Sequence, residues 1–237
     1  MMSPVRITPA TGEPAVDSWT VRPLASVAAE LVAGLGPGRR VLAVDGRGGA
    51  GKSTLAGRLA AALPDAAVVG TDDIAWNHSI FGWSDALVDG VLRPYRAGAA
   101  VSYRPPGWVR HGRDGAVEVA DTVRLLIVEG VGASRTELID WLDASIWVQS
   151  DFAEAERRGI ARDIASGVNG DAEATTAFWH TWMAEELPFF EADRPWERAD
   201  LILAGTSTAS LPAGTVAVGR PPRGSGPPTA ASEEARR

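Results

Sequence analysis

The residues best suited to chemistry in this chain lie in a glycine-rich turn between residues 46 and 54. The turn has the pattern G-x-x-x-x-G-K-[ST], which ends in Gly51, Lys52 and Ser53. Its glycines let successive backbone N–H groups point at phosphate oxygens, and the following helix adds its positive end. The lysine can reach the β- and γ-phosphates of a nucleotide, and the serine hydroxyl can ligate magnesium. The predicted phosphate-binding residues of this P-loop are Gly46, Gly48, Gly49, Ala50, Gly51, Lys52, Ser53 and Thr54.

Two acidic positions follow apolar runs that have the character of buried strands. Asp72 and Asp73 come after the run 66–71, and Glu129 comes after the run 124–128. Because ligands bind at the carboxyl ends of strands in open parallel sheets, these side chains are predicted to lie near the P-loop. A carboxylate in the position of Asp72 can orient an acceptor hydroxyl and take its proton during phosphoryl transfer. The alternatives are a pair of N-cap residues at 72–73 and a structural ion pair for Glu129.

The same carboxylates supply oxygen ligands of the kind that magnesium prefers. Glu129 follows a strand beside the P-loop strand, where a carboxylate commonly supports magnesium, and Asp72 can reach the ion through water. The predicted metal site therefore consists of Ser53, Asp72 and Glu129. Zinc is not expected, because the chain has no cysteine and its three histidines lack the spacing of metal ligands.

A cluster of arginines lies on one predicted helix. Arg158 and Arg162 are four residues apart and share a helical face, and Arg157 is adjacent. Like charges at this spacing repel, so an anion bound between them turns the repulsion into a gain. This pattern favours a lid that closes on ATP phosphates, with Arg158 and Arg162 acting in catalysis and Arg157 and Arg158 binding the nucleotide. The alternative is that Glu154 and Asp163 neutralise the arginines on a solvated helix.

An α/β sandwich is predicted to position these residues. The predicted strands are 40–45, 66–71, 124–128, 144–148 and 201–204, with a possible edge strand at 215–218. Their continuous apolar character indicates a sheet that is covered on both faces. The predicted helices are 23–35, 54–63, 134–142, 152–166 and 171–187, of which the last begins after the N-cap Asp171 and ends before Pro188.

Residues 74–123 are predicted to form a small β-rich insertion, or lid, over the acceptor site. Strand-like runs at 100–103 and 116–119 flank a turn, and a helix is predicted at 84–92. The predicted substrate-binding residues are Asp72, Asp73, His78, Tyr103 and Arg104. A further aromatic stripe, Phe178, Trp179, Trp182 and Met183, has helical spacing; core packing is preferred over base stacking as its interpretation.

Composition limits the classes of protein to which the chain can belong. The 237 residues suffice for one large α/β domain, and the hydrophobic fraction of 45% suits a globular core. A net charge of −7 argues against general binding of nucleic acid. No apolar run approaches the roughly 20 residues that span a bilayer, and the N-terminus lacks a signal-peptide core, so a cytoplasmic protein without a membrane partner is expected.

Over residues 40–204 the chain resembles the uridine kinase group of P-loop kinases. The matching segments are 44–54, 71–74, 127–130 and 157–163. The resemblance implies a P-loop NTPase three-layer sandwich, with a five-stranded parallel sheet flanked by helices and ATP with Mg²⁺ on the P-loop. It further implies that Asp72 is the base toward a nucleoside 5′-hydroxyl, that Ser53 and Glu129 hold magnesium, and that Arg158 and Arg162 close over the phosphates. The chain departs from the group at Ile74-Ala75-Trp76, where the group usually has an aromatic pair near the nucleoside.

The predicted function is transfer of the γ-phosphoryl of ATP to a free hydroxyl of a small molecule, with uridine or cytidine as the default acceptor. A (deoxy)nucleoside monophosphate kinase or an antibiotic O-phosphotransferase is an alternative, with Arg96, Arg104 and Arg110 available to bind an acceptor phosphate. A nucleotide-binding regulator with little catalysis is a second alternative. The predicted domains are a poorly ordered segment at 1–20, a P-loop kinase domain at 21–219 and a disordered tail at 220–237.

Overall fold

A seven-stranded sheet forms the centre of the molecule in a computed structural model, which describes residues 5–207 and 209–219. The strands are β1 (Trp19–Pro23), β2 (Arg40–Gly46), β3 (Ala66–Gly70), β4 (Val101–Tyr103), β5 (Val117–Val119), β6 (Leu125–Glu129), β7 (Ala144–Gln149), β8 (Leu201–Ala204) and β9 (Thr215–Gly219). The spatial order is β1-β9-β8-β7-β2-β6-β3, and β4 pairs with β5 in a separate hairpin. The tail predicted at 220–237 lies outside the described residues.

The five strands β3, β6, β2, β7 and β8 are parallel, which confirms the predicted five-stranded parallel sheet. Two antiparallel strands extend it, since β9 pairs antiparallel with β8 and β1 with β9. The P-loop strand β2 therefore lies at the middle of the sheet, between β6 and β7. Consequently the loops after β2, β3 and β6 open at one edge of the sheet.

Helices cover both faces of this sheet. They are α1 (Leu24–Leu35), α2 (Lys52–Ala62), α3 (Thr71–Ala75), α4 (Ser84–Leu87), α5 (Arg93–Arg96), α6 (Pro106–His111), α7 (Phe152–Ser166) and α8 (Ala172–Asp193). Alternate side chains of β2 point to opposite faces, as the pleat of a strand requires. Leu42 and Val44 pack in the core that contains α1 and α2, whereas Val41 and Ala43 pack against the helices of residues 74–123.

Helix α8 continues through Pro188 to Asp193, so the end predicted at Leu187 is wrong. A proline inside a helix removes one backbone hydrogen bond and crowds the preceding turn. The residues after it nevertheless have a reason to stay helical, because Phe190 is fully buried with its ring 5.1 Å from that of Trp147. Tertiary packing of this last turn outweighs the local preference of the proline.

The insertion at 74–123 contains the predicted hairpin, β4 with β5, but most of its regular structure is helical. Residues 84–96 form one continuous helical segment whose middle, Val88–Leu92, is a π-helical turn. Leu87, Val91 and Tyr95 are fully buried at a spacing of four residues, so this helical face packs on the sheet. The β-rich description therefore applies only to the hairpin.

The segment predicted to be poorly ordered at 1–20 is described from residue 5 onward. Residues 5–18 lack regular helix or strand, yet they lie against the start of α7. The backbone N–H of Thr8 donates to Asp151 Oδ2 at 3.2 Å, and the N–H of Phe152 donates to the carbonyl of Thr8 at 3.0 Å. Across the described residues, no helix combines the length and the apolar composition needed to cross a membrane.

Candidate functional site

The P-loop connects the end of β2 to α2, as predicted, although the helix begins at Lys52 and not at residue 54. Backbone geometry requires glycine at residues 49 and 51. Gly49 has a φ of +72°, and a Cβ there would lie 2.3 Å from the carbonyl oxygen of Ala155; Gly51 has a φ of +95°. Larger side chains at these positions would strain the backbone or collide with α7. Lys52 Nζ donates to the carbonyl of Arg47 at 2.8 Å, which bends its side chain back over the loop.

A cavity of about 290 Å³, termed the first cavity, opens beside this loop. The loop contributes Gly48, Gly49, Gly51, Lys52, Ser53 and Thr54 to its lining. Asp72, Glu129 and Arg162 also line it, although they come from α3, β6 and α7. The fold thus gathers five of the predicted chemical groups, Lys52, Ser53, Asp72, Glu129 and Arg162, around one space. Of the other predicted loop residues, Gly46 ends β2 and Ala50 is buried beneath the turn.

The two carboxylates lie close together because their strands are paired. Gly70 of β3 is in register with Glu129 of β6, and Asp72 follows two residues after Gly70. Burial raises the pKa of Glu129; Lys52 opposes this effect, and the negative charge of Asp72 adds to it. Ser53 Oγ donates to Glu129 Oε2 at 3.2 Å.

This group of oxygens fits a magnesium ion. A cation between Glu129 and Asp72 would relieve the repulsion that adds to the effect of burial on the pKa of Glu129, and hard oxygen ligands suit Mg²⁺. Within residues 5–207 and 209–219, no three His, Asp or Glu side chains cluster as a metal cage. Mg²⁺ usually takes only one or two carboxylates and completes its coordination with water and phosphates, so the small donor set is compatible with it.

The predicted lid arginines divide into two groups. Arg162 lines the first cavity while its Nε donates to Asp163 Oδ1 at 2.7 Å. Arg157 and Arg158 instead both donate to the carboxylate of Glu154, and Arg158 Nη2 also donates to the carbonyl of Ser207 at 3.1 Å. Hydrogen bonds from Arg157 and then Arg158 lower the pKa of Glu154 to about 2. Neither of these two arginines lines the first cavity. Their contacts match the alternative in which Glu154 neutralises the arginines on a solvated helix.

A second cavity, of about 320 Å³, adjoins the first. Asp72, Val131, Phe178 and Trp182 line both cavities. The other residues that line the second cavity are half apolar and half polar. The apolar ones are Ala75, Trp76, Ile80 and Trp83, and the polar ones are Thr71, Asn77, His78 and Ser79. Asp72 therefore stands at the junction between a space lined by the P-loop and a space lined by aromatic rings.

Three of the predicted substrate-binding residues lie outside both linings. Asp73 forms an ion pair with Arg113 at 2.8 Å. Tyr103 packs on the π-helical turn, where a Cβ on Gly90 would lie 2.4 Å from its ring. Arg104 donates to the carbonyl of Arg113 at 2.7 Å. These contacts hold the insertion together next to α3.

The aromatic stripe of α8 serves two purposes. Trp179 is 5% exposed and packs on Gly159 of α7, and its Nε1–H donates to Asp163 Oδ2 at 2.7 Å. Phe178 is 49% exposed, and together with Trp182 it lines both cavities. The helical spacing of the stripe favours core packing, which describes Trp179, but it does not predict that Phe178 and Trp182 line the cavities. Its period of 3.6 residues predicts the helix but not which element each ring faces.

A buried carboxylate that sequence analysis left without a role supports the site from below. Asp45, the residue before Gly46, accepts hydrogen bonds from the backbone N–H groups of Gly46, Gly132 and Ser134 and from the Ser134 hydroxyl, at 2.7–2.8 Å. Burial nevertheless raises its pKa. These bonds tie the P-loop to the segment after Glu129. An acidic residue inside an otherwise apolar strand was the signal that could have identified it.

Neither a protein-family model nor a curated protein sequence matches this chain. Solved structures do resemble it. A "putative fructose transport system kinase" from Silicibacter sp. TM1040 superposes with a TM-score of 0.55 and 22% identity, over 81% of this chain and 98% of the other. The YGR205w protein gives a TM-score of 0.54 and 12% identity, over 83% and 96%. A "possible uridine kinase" from Bacillus stearothermophilus gives 0.48 and 20%, over 76% and 96%. The first two likenesses confirm the predicted fold class, an α/β sandwich around a mostly parallel sheet.

Proposed function

We propose that this protein is an ATP-dependent small-molecule kinase that transfers a phosphoryl group to an acceptor hydroxyl. The observation that carries the proposal is the position of Asp72, which lines both the cavity beside the P-loop and the adjoining aromatic cavity. A triphosphate on the loop and a hydroxyl in the second cavity would meet at this carboxylate. Nucleotide binding alone does not require a carboxylate between two adjoining spaces.

In the proposed reaction, the acceptor oxygen bonds to the γ-phosphorus while the bond from that phosphorus to the β-γ bridging oxygen breaks, and ADP leaves. Asp72 orients the hydroxyl and takes its proton. The loop amides and Lys52 bind the phosphates, and Arg162 offsets charge on the transferred group. Ser53, Glu129 and Asp72 would hold Mg²⁺, which supplies positive charge beside the phosphates.

The acceptor that the second cavity favours is an uncharged molecule with a flat ring. Its walls include Trp76, Phe178 and Trp182, on which rings can stack. Among the described residues that line it there is no lysine or arginine. Uridine or cytidine satisfies both conditions and has a primary hydroxyl. A sugar is a second candidate acceptor, suggested by the fructose transport kinase that shares the fold.

A phosphorylated acceptor is disfavoured by the partners of the arginines that would bind it. Arg96 donates to Asp143 and to the carbonyls of Arg39 and Trp141. Arg110 donates to the carbonyl of Asn77 at 2.8 Å, and Arg104 is bound to Arg113. None of the three lines either cavity. These contacts weigh against a nucleoside monophosphate kinase, whereas an antibiotic O-phosphotransferase stays an alternative that the acceptor test covers.

The decisive experiment incubates the protein with ATP and Mg²⁺ and a panel of nucleosides, nucleoside monophosphates, sugars and aminoglycosides. We expect a mass gain of one phosphoryl group on a nucleoside, with matching release of ADP. Phosphorylation of a nucleoside monophosphate would contradict the inference that the second cavity, which has no lysine or arginine among its described lining residues, binds an uncharged acceptor. Nucleotide binding without acceptor-dependent ADP release would instead favour the regulator.

A further inference from the structure

A buried glutamate on α8 contacts the P-loop from the side away from the first cavity. The side chain of Glu186 is 3% exposed. Its Oε1 accepts a hydrogen bond from the backbone N–H of Gly48 at 2.6 Å and another from Trp182 Nε1 at 3.2 Å. Gly48 lines the first cavity and Trp182 lines both cavities. One carboxylate oxygen thus contacts both a residue that lines the first cavity and a residue that lines the second.

The same carboxylate faces the side chain of the second P-loop residue. Arg47 is turned away from the first cavity into the core, where it is 4% exposed and its guanidinium lies 5.1 Å from the ring centre of Phe190. Its Nε donates to Glu13, and its Nη1 lies 4.0 Å from Glu186 Oε2. Both oxygens of Glu186 are therefore directed at groups that belong to, or line, the site.

A carboxylate in this position has an energetic cost that an apolar residue would avoid. Burial raises the pKa of Glu186, an effect that Lys52, the Gly48 amide and Arg47 oppose. Apolar side chains can fill such positions on the same face of α8, since Trp179 and Phe190 are buried there. The glutamate side chain is long enough to accept hydrogen bonds from both Gly48 and Trp182, whereas a leucine of similar size can accept none.

We propose that Glu186 is a positioning residue that sets the P-loop at Gly48 and the aromatic wall at Trp182 in one fixed relation. The proposal rests on the proposed nucleotide binding at the P-loop. Glu186 touches neither phosphate nor acceptor in this scheme; it acts through the loop amide and the indole. A loop that is already in its phosphate-binding geometry loses less entropy when the nucleotide binds.

The test separates the reach of the side chain from its charge. E186Q keeps the length and one acceptor oxygen but loses the charge, whereas E186D keeps the charge but is one methylene too short to serve both donors. E186L removes both properties. The matched control is E185L, because Glu185 is the neighbouring residue on α8 and is exposed. The affinity for Mg²⁺ with ADP, or with a non-hydrolysable ATP analogue, is measured by calorimetry, and thermal unfolding of each variant is recorded.

We expect E186Q and E185L to bind within about threefold of the unaltered chain, and E186D and E186L to bind about tenfold or more weakly. Recovery by Gln but not by Asp is the signature of positioning, since a purely electrostatic role gives the reverse order. E186D, which preserves the buried charge, keeps the comparison measurable if E186L does not fold.

Three outcomes would overturn the proposal. Affinity that is equal in all variants means that Glu186 has no effect on the loop. Tighter binding by E186L means that the carboxylate occupies an amide needed by phosphate and so inhibits the site. Failure of the unaltered chain to bind any nucleotide refutes the proposed function itself, and the role of Glu186 with it.

Discussion

Asp72 combines two properties that a base in phosphoryl transfer needs. It lies in the first turn of α3, two residues after the end of β3, so the parallel sheet brings it to the edge where the P-loop opens. It also lines both cavities, while the adjacent Asp73 is held in an ion pair by Arg113. Two neighbouring residues of the same type are thereby given different surroundings.

Replacement of Asp72 by Asn is therefore expected to abolish most of the transfer and to spare nucleotide binding. We expect kcat to fall by about 10²- to 10⁴-fold, the usual contribution of a general base. The affinity for ADP in the absence of Mg²⁺, measured by calorimetry, should stay within about threefold, because Lys52 and the loop amides are untouched. The matched control is D73N, for which the loss in kcat should be much smaller. Near-full activity of D72N with the identified acceptor would refute its role as base.

The arginines of α7 give a second residue-level prediction. R162A should lower kcat/KM by about tenfold or more, because Arg162 lines the first cavity and can offset charge on the transferred group. R157A should change it by less than about twofold, since Arg157 is exposed and bound to Glu154. Steady-state kinetics with the acceptor identified from the panel checks both variants. Equal losses in the two would mean that the whole helix face closes over the nucleotide.

At the scale of secondary-structure elements, the contact between α7 and α8 fixes the positions of the aromatic residues that line the cavities. Trp179 fills the space that the missing side chain of Gly159 leaves, and the same turn of α8 carries Phe178 and Trp182 into the cavities. The distance between the two helices is therefore part of the shape of the site. A larger residue at 159 would move α8 away from the P-loop.

G159A is expected to destabilise the protein, although alanine is the better helix former. A Cβ at residue 159 would lie 2.0 Å from the Trp179 ring, and such overpacking costs about 1–3 kcal/mol. The matched control is G57A on α2, where a Cβ meets no atom within 4 Å; it should stabilise by about 0.5–1 kcal/mol. Free energies of unfolding from denaturant titrations measure both. A stabilised G159A would show that α8 can shift without cost.

At the scale of the whole molecule, the N-terminal segment is tied to the centre of the fold. Glu13 is 1% exposed at its side chain and pairs with Arg47 of the P-loop. It also accepts from Trp147 Nε1 at 3.2 Å and from Gln149 Nε2 at 3.3 Å. A segment without regular structure thus supplies the counter-charge for a buried arginine.

Loss of this carboxylate should destabilise the whole domain. E13A leaves the buried Arg47 without its close ion-pair partner, and breaking a buried pair in this way typically costs about 3–5 kcal/mol. D17A, in the same segment but at an exposed residue, should change the free energy of unfolding by less than about 0.5 kcal/mol. Denaturant titration distinguishes the two variants. An unchanged E13A would show that water or Glu186 replaces Glu13.

The sequence alone determined the P-loop, the positions of the core strands along the chain and the presence of Asp72 and Glu129 at strand ends. These features depend on local rules: glycines where the backbone needs them, apolar runs where a strand is buried on both faces, and polar residues where such a run stops. The rule that parallel strands end at one edge then brings the residues together without knowledge of any side-chain contact.

Only the tertiary structure decided which of the candidate side chains face the cavities. In the structure, Arg158 is directed toward Glu154. Tyr103 and Arg104 contribute to the packing of the insertion. Glu186 and Asp45 lie behind the P-loop and accept hydrogen bonds there. Helix α8 also continues past Pro188. Glu154 lies only four residues before Arg158 on α7, so that contact was a local alternative that the sequence allowed without deciding. The other outcomes depend mainly on partners that lie far along the chain or on another element. The direction of a side chain is set by the competition among such partners for hydrogen bonds and buried volume, and local residue spacing does not encode that competition.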